Sequence, residues 1–247
     1  MLQFFTKKEF LVDHLDGFID IHNHILPGID DGAKNVKESI AIIKAFGEFG
    51  VTDFVCTPHI MHNYYENTKK TISKAFKELE EELADTELSI AINYAAEHMI
   101  DDNFEHLFEK NEALQLGEQH ILVEMSYLQP SINFDSSIGK ILDKQVFPVL
   151  AHPERYGYLH NDFSKYIEYK NRGIKFQLNM LSILGYYGKG IQKCAQTLLN
   201  ENMFDYISSD AHNLRHVSSL KEGKVSSKLI QQIKPLLLNT IQDFKKI

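Results

Sequence analysis

The chain has little cysteine, no long apolar run and no surplus of basic residues. Its two cysteines, Cys56 and Cys194, are too few for a disulfide framework and fit a reducing compartment. Both sit in apolar runs, where a buried, inert thiol is the expectation. No stretch is apolar enough to span a bilayer, which excludes insertion as a membrane helix. Residues 1–16 carry Lys7 and Lys8 but no hydrophobic signal segment, so the expected location is the cytoplasm. The formal net charge is −8, with 26 Lys and Arg against 34 Asp and Glu. A chain this acidic, without a basic stripe, is not built to grip a nucleic-acid backbone. It does not exclude an anionic substrate, because bound cations would reverse the local field. Low-complexity tracts and repeats are absent too.

What the chain has is enough apolar mass for one sizeable core: 43% of its 247 residues are hydrophobic. Short runs rich in Val, Ile, Phe and Tyr fall at residues 18–22, 51–57, 89–97, 120–125, 147–151, 174–180 and 205–209. Helical patterns separate them. Asn35 and Glu38 read as a capping box before Val36, Ile40, Ile43 and Phe46, closed by Gly50. Ile72, Phe76, Leu79 and Leu83 form a second stripe; Ile191, Cys194, Ala195, Leu198 and Leu199 form another. Weaker stripes lie at 138–142 and 163–167, the latter closed by Gly173, and the last helix spans 228–244 with a kink or break at Pro235. Strand alternating with helix predicts parallel strands in an α/β fold, a barrel or a doubly wound sheet. The whole chain, 1–247, reads as one domain with 1–16 as an N-terminal extension.

The chemistry stands at the strand ends. They carry Asp20, His22 and His24 with Asp30 and Asp31 beyond; then His59; Glu97 and His98; Glu124; His152 and Glu154; and Asp210 with His212. Six of the seven strands therefore end in His, Asp or Glu; the sixth, with Gln177 and Asn179, does not. In a parallel barrel those ends converge on one face. His and carboxylate suit Zn²⁺, Mn²⁺ or Fe. Residues i and i+2 of a strand share a side, so His22 with His24, and Asp210 with His212, are each expected to hold one ion together. So many ligands suit two or three ions about 3.5–4 Å apart, as in multi-metal phosphatases. A lone histidine near a strand end is usually just hydrogen-bonded; His14, His62, His106, His120, His160 and His216 are read that way, and Asp101 and Asp102 as a helix start. Strand after strand ending in a ligand type is not explained so.

The segment Asp20-Ile21-His22-Asn23-His24-Ile25-Leu26-Pro27-Gly28-Ile29-Asp30-Asp31-Gly32 resembles the opening motif of the PHP (polymerase and histidinol phosphatase) superfamily. With Thr57-Pro58-His59, Ala96-Glu97, Val123-Glu124, Ala151-His152-Pro153-Glu154-Arg155-Tyr156 and Ser209-Asp210-Ala211-His212, it is similar to the protein-tyrosine phosphatases of bacterial capsule and exopolysaccharide clusters. The resemblance implies a distorted (β/α)7 barrel with the metal site at the C-terminal strand ends. Its ligands would be His22, His24, Asp31, His59, Glu97, Glu124, His152, Asp210 and His212, with Glu124 bridging. The choice of Asp31 over Asp30 comes from the resemblance alone. His98 stands where relatives often carry another residue. The implied cofactor is two or three divalent ions per chain, Mn first, Fe or Zn as alternatives. The implied partner is a membrane-anchored bacterial tyrosine kinase, dephosphorylated on its tail.

No cysteine is followed by arginine six positions on, and no hydroxyl is singled out as a nucleophile, so the expected mechanism is direct attack by a metal-bound hydroxide. Arg155 is the candidate phosphate clamp, against a rim ion pair with Glu154 or another acid; Arg215 is a second. His59 is weighed also as a general acid. The segment 61–68, with Tyr64 and Tyr65, is a candidate rim stacking on a substrate ring. Two other readings stay open: a small-molecule phosphatase acting on a compound such as histidinol phosphate, and a non-catalytic metal-binding or kinase-docking module.

Overall fold

The apolar runs pair side by side, all in parallel, and the helical stripes pack outside them. The structure, a computed structural model, describes residues 7–245. Its strands are β1 (Lys8–Phe10), β2 (Ile19–Asp20), β3 (Asp53–Cys56), β4 (His59–Ile60), β5 (Ala91–Tyr94), β6 (Glu97–Met99), β7 (His120–Glu124), β8 (Phe147–Ala151), β9 (Lys175–Asn179), β10 (Tyr206–Ser208) and β11 (Lys224–Ser226). Its helices are α1 (Val36–Gly47), α2 (Lys69–Ala84), α3 (Phe104–Glu109), α4 (Phe134–Asp143), α5 (Phe163–Asn171), α6 (Met180–Leu184), α7 (Lys189–Asn200), α8 (Leu214–Glu222) and α9 (Ser227–Phe244).

One sheet runs β2-β3-β5 and another β10-β9-β8-β7-β6-β4. They are one ladder interrupted twice. At Thr57-Pro58 and at Ala95-Ala96 the strands bend, yet Thr57 N–H donates to Asn23 O at 3.0 Å, Ala95 N–H to Cys56 O at 2.8 Å and Glu97 N–H to Pro58 O at 3.0 Å. Pro58 has no N–H to give, which fits its place at a break. The last strand returns to the first at their tips: Asp210 N–H donates to His22 O at 2.8 Å and His24 N–H to Ala211 O at 2.9 Å. Asn23 and Ala211 form a parallel bridge there. Parallel strands closed this way by crossover helices make the distorted (β/α)7 barrel.

Below the tips, a buried carboxylate ties the same two strands together. Asp20 Oδ1 accepts from the Ser208 hydroxyl and from Ser209 N–H at 3.0 Å, and Oδ2 from the Ser209 hydroxyl at 2.6 Å. The barrel interior is apolar: Ile19, Ile21, Val55, Ala95, Leu122 and Val149 form its layer, with Phe244 of α9 in the same cluster. A larger core of Phe46, Phe54, Phe104, Tyr166 and Phe176 fills the space between strands and helices. Two residues beyond interior Leu122 comes Glu124, two beyond Ala95 comes Glu97, and four beyond Val55 comes His59. The period of two thus sets the polar residues on top of the apolar plug.

Helix ends follow the sequence with one change. Asn35 Oδ1 accepts from Glu38 N–H at 3.1 Å, but the Glu38 carboxylate takes Lys34 N–H at 3.1 Å instead of closing the box on Asn35. Gly50 stands at φ +81°, and a Cβ there would lie 2.3 Å from Asp16 Oδ1, so glycine is required. The expected break at Pro235 does not occur; α9 runs through it. Pro235 lies on the exposed side, where the carbonyl deprived of its partner can take water. The short helices α3, α6 and α8 and the antiparallel pair β1–β11 carried no clear pattern. In that pair Glu9 faces Val225, and Leu11 and Leu15 just beyond are fully buried. Residues 1–6 of the expected extension lie outside the described residues.

Asp20→Ala removes one acceptor group from three buried donors. It should lower unfolding stability by about 3 kcal/mol, read from the urea midpoint at unchanged slope. A loss below about 1 kcal/mol would mean that the Asp20 tie does not hold the barrel seam.

Candidate metal centre

All nine of the sequence-predicted ligand residues meet at the C-terminal strand ends. They fall into four overlapping groups: His24, Asp31, His59 and His212; His22, Glu97 and His152; His22, His24 and Asp210; and His59, Glu97 and Glu124, each with ligand-type atoms within 4.8 Å of one another. Glu97 is central. Its Oε2 lies 3.2 Å from His22 Nε2, 3.4 Å from His24 Nε2 and 3.1 Å from His59 Nδ1, while Oε1 lies 3.0 Å from His152 Nε2. Asp210 Oδ1 is 3.4 Å from His22 Nε2 and 3.3 Å from His24 Nε2. Glu124 Oε1 is 2.9 Å from His59 Nδ1. Asp31, at the half-exposed mouth, lies 3.5 Å from both His59 Nε2 and His212 Nε2.

The arrangement fits cations. His59 Nδ1, Glu97 Oε2 and Glu124 Oε1 are buried and have no hydrogen-bond partner, although each lies within 3.2 Å of an oppositely natured atom. The atoms are close, but their directions are wrong for hydrogen bonds. Buried polar atoms left so are costly, and lone pairs aimed into a common space are what a cation needs. The far side of three rings, those of His22, His24 and His212, is held as metal-binding histidines require. His24 Nδ1 meets Asp30 Oδ2 at 2.8 Å, His22 Nδ1 meets Gln177 Oε1 at 2.9 Å and His212 Nδ1 meets the Asp210 carbonyl at 2.9 Å. Each leaves Nε2 facing the cluster.

Asp30 and Asp31 thus divide their tasks. Asp30 is buried, orients His24 and accepts His59 N–H at 3.1 Å and Gly32 N–H at 2.9 Å. Asp31 turns its carboxylate to the cluster. Gly32 permits the turn, since a Cβ there would stand 1.9 Å from the His24 carbonyl oxygen. Two site residues sit in the left-handed region, His152 at φ +36° and Asp210 at φ +52°. That twist corrects one expectation: Asp210 and His212 do not project together as i and i+2 of a strand. Asp210 joins His22 and His24, whereas His212 joins His24, Asp31 and His59.

Burial would strip the His59 imidazole of its proton, but Glu124 and Glu97 outweigh it and raise His59 to about 9. Burial is likewise overcome at His22 and His24, both raised, by Glu97 and Asp210 for the first and Asp30 for the second. Against their own burial, Glu97 and Asp210 are held well below the usual carboxylate range by the surrounding histidines. Asp31 falls to about 2, burial being outweighed by His212. Both ring nitrogens of His59 face carboxylates, so it has no nitrogen left to act as a general acid.

Arg155 pairs through Nη1 with Asp210 Oδ2 at 2.7 Å, not with Glu154. Glu154 is buried behind the site, accepts Asn179 N–H at 3.0 Å, and is raised to about 7 by burial. The guanidinium lies between Tyr187, 4.1 Å from its ring centre, and Tyr127, at 4.7 Å. Asn179 Nδ2 donates to Asp210 Oδ2 at 2.8 Å. The sixth strand, which lacks a ligand, therefore supplies two residues that position ligands, Gln177 and Asn179. Their inward register at a strand end was the available signal; Tyr127 and Tyr187 gave none.

Other candidates separate. Tyr65 stacks on His59 at 5.3 Å between ring centres, in a tight turn closed by Met61 and Tyr65, while Tyr64 is exposed at the rim. Arg215 is exposed on α8, 5.8 Å from the Tyr186 ring centre, and is not among the residues lining the cavity. His216 and His62 also line it without joining a ligand group; His216 Nδ1 accepts His212 N–H at 3.3 Å, and burial lowers His216 to about 4. His98 points away, its Nε2 3.1 Å from Leu114 N and O. Cys56 and Cys194 are buried; burial raises both thiols, Cys194 to about 11. The cluster floors an open cavity of about 840 Å³ walled by Tyr64, Tyr65, Tyr127, Tyr187 and Arg155.

Known proteins share this arrangement of sequence and fold. The family described as "Capsular polysaccharide synthesis, CpsB/CapC" matches residues 18–226. Tyrosine-protein phosphatase CpsB of Streptococcus pneumoniae is 31% identical over 206 residues, 79% of this chain and 83% of that protein. Tyrosine-protein phosphatase YwqE of Bacillus subtilis is 28% identical over 198 residues, 80% and 78% respectively. A crystal structure from work on YwqE and CpsB, called unique metal-dependent tyrosine phosphatases, superposes with a TM-score of 0.75 at 27% identity, over 90% of this chain and 94% of that one. The lactonase Lmo2620 of Listeria monocytogenes, at 11% identity and a TM-score of 0.52, shares the fold alone.

The protonated histidines make a metal test independent of activity. A cation must displace the proton from His59, whose value near 9 leaves it charged at neutral pH. Adding Mn²⁺ at pH 7 in weak buffer should release at least about one proton per chain, and apparent affinity should climb as pH rises toward 9. Metal uptake without proton release would contradict displacement of a proton from His59.

Proposed function

The chain belongs to the CpsB/CapC family of capsular polysaccharide synthesis, and on that footing we propose that it is a metal-dependent protein-tyrosine phosphatase. One observation carries the reading: buried, unpartnered His59, Glu97 and Glu124 atoms lie in a nine-residue ligand cluster at the floor of a tyrosine-walled cavity. His22, His24, Asp31, His59, Glu97, Glu124, His152, Asp210 and His212 would hold two or three divalent ions, Mn²⁺ first, with Fe or Zn as alternatives. Bound there, such ions acidify water toward neutrality and neutralise phosphoryl oxygens.

The chain's own residues supply the rest. Arg155 keeps a permanent positive charge at the cavity wall, its plane fixed by Tyr127 and Tyr187, and is suited to phosphate oxygens. Asp210 and Asn179 fix its depth, since Asp210 Oδ2 takes bonds from both. Tyr65 and Tyr127 offer ring faces to an aryl group entering the cavity. A phenolate leaves with a pKa of about 10 and needs less protonation than an alkoxide, which suits a site where His59 cannot donate. The names of the relatives and the family's description support a phosphotyrosine protein of capsule synthesis as substrate; the finer proposal, a membrane-anchored tyrosine kinase met in the cytoplasm, rests on the sequence resemblance alone. Among the described residues no helix is long and apolar enough to cross a membrane.

A side-by-side assay tests this. Phosphotyrosine peptide should be hydrolysed, the activity should vanish on chelation and return with Mn²⁺, and Asp210→Asn should lower kcat at least about 100-fold. Turnover of histidinol phosphate in place of the peptide would move the substrate to a small molecule; metal uptake with no phosphoester cleaved would make the chain a binding module. Arg155→Lys keeps the charge but loses the planar fork, and should cost about tenfold in kcat/KM on the same peptide.

A further inference from the structure

Four of the large hydrophobic side chains that are most exposed among the described residues stand around one opening: Tyr64 at 79%, Tyr127 at 45%, Leu128 at 90% and Ile132 at 99%. Exposed apolar residues scattered singly mean little, but grouped ones mark a contact surface. Beside the main cavity lies a second hollow of about 470 Å³, bordered by Leu128, Pro130 and Ile132 of the loop between β7 and α4. The two hollows share a wall: Ile100, Asp101, Ser126 and Leu128 line both.

The groove is built rather than incidental. Asp101 holds both of its walls, accepting His62 N–H at 2.7 Å through Oδ2 and Asn133 Nδ2 at 2.7 Å through its carbonyl. Its other carboxylate oxygen accepts Asn103 N–H at 2.9 Å and Phe104 N–H at 3.1 Å, capping α3. The carboxylate is thus already committed to backbone N–H groups. No Lys or Arg lines the hollow, so an anionic or phosphorylated group finds no counter-charge there; the Asp102 carboxylate stands exposed at its edge, while Leu128, Pro130, Ile132 and Ile100 offer apolar surface.

We infer that this groove is the subsite for an apolar side chain of the substrate polypeptide, next to the phosphotyrosine that enters the main cavity. The inference rests on the reading of the site as a protein-tyrosine phosphatase and names the kind of sequence it prefers. Successive residues of an extended chain advance about 3.3 Å, so a side chain one or two places from the phosphotyrosine comes to lie over the neighbouring hollow. Anchored walls make such a contact cheap in conformational entropy.

The test compares p-nitrophenyl phosphate with phosphotyrosine peptides bearing leucine or serine at each flanking position, for the Mn²⁺-loaded wild-type chain and for Ile132→Ser. Ile132 borders only the second hollow and is solvent-exposed, so the variant should fold and should turn over p-nitrophenyl phosphate as the wild type does. The wild type should favour the leucine peptide by about tenfold in kcat/KM at one flanking position, through KM, and Ile132→Ser should abolish that preference. A wild type indifferent to the flanking residue, or a preference that survives in Ile132→Ser, overturns the inference and leaves the phosphatase reading standing. A wild type that cleaves p-nitrophenyl phosphate but no phosphotyrosine peptide overturns both.

Discussion

A carboxylate buried away from water stays ionised only beside positive charge, and the top of this barrel buries Glu97, Glu124 and Asp210 almost completely. Everything around them answers that demand. Electrostatics inside the cluster run both ways: His22, His24 and His59 are raised by the carboxylates, His152 is lowered by burial, and Glu97 and Asp210 are lowered by the histidines. Arg155 adds a permanent charge against Asp210. The cluster leaves several buried atoms without hydrogen bonds, a cost that cations would relieve. The site also carries the cost of two of its own backbone positions turned into the left-handed region, at His152 and Asp210.

The barrel makes such a cluster possible because parallel strands end together. Side-chain alternation converts an apolar interior layer, Val55, Ala95 and Leu122, into His59, Glu97 and Glu124 one pleat or two further on. The seam between first and last strands matters most, since it brings His22 and His24 against Asp210 and His212. Asp20 and the serines beneath hold that seam by hydrogen bonds that neither strand could satisfy alone.

This logic explains what the sequence disclosed. Strand-length apolar runs and the ligand type that followed each were legible, because period two and strand-end convergence are rules of local pattern and topology. The long motif from Asp20 to Gly32 separated Asp31 from Asp30, which spacing alone could not do. Asp210 and His212 fall in different ligand groups although His212 Nδ1 lies 3.5 Å from Asp210 Oδ1, because a positive φ at Asp210 breaks the alternation, and an aspartate is only a weak signal of that. The same holds for the aromatic sandwich on Arg155: Tyr127 and Tyr187 are sixty residues apart in sequence and meet only through tertiary packing. The helix through Pro235 survives because its unsatisfied side faces solvent, a matter of burial rather than propensity.

A phosphatase of this design needs cations among those nine side chains. Crystals of the wild-type chain prepared with Mn²⁺, measured on the low- and high-energy sides of the Mn absorption edge, locate them directly. The account predicts two or three anomalous peaks about 3.5–4 Å apart, enclosed by Glu97, Glu124, Asp210 and the facing histidines. Full side-chain order with no peak there, or with peaks only at surface carboxylates, would contradict it.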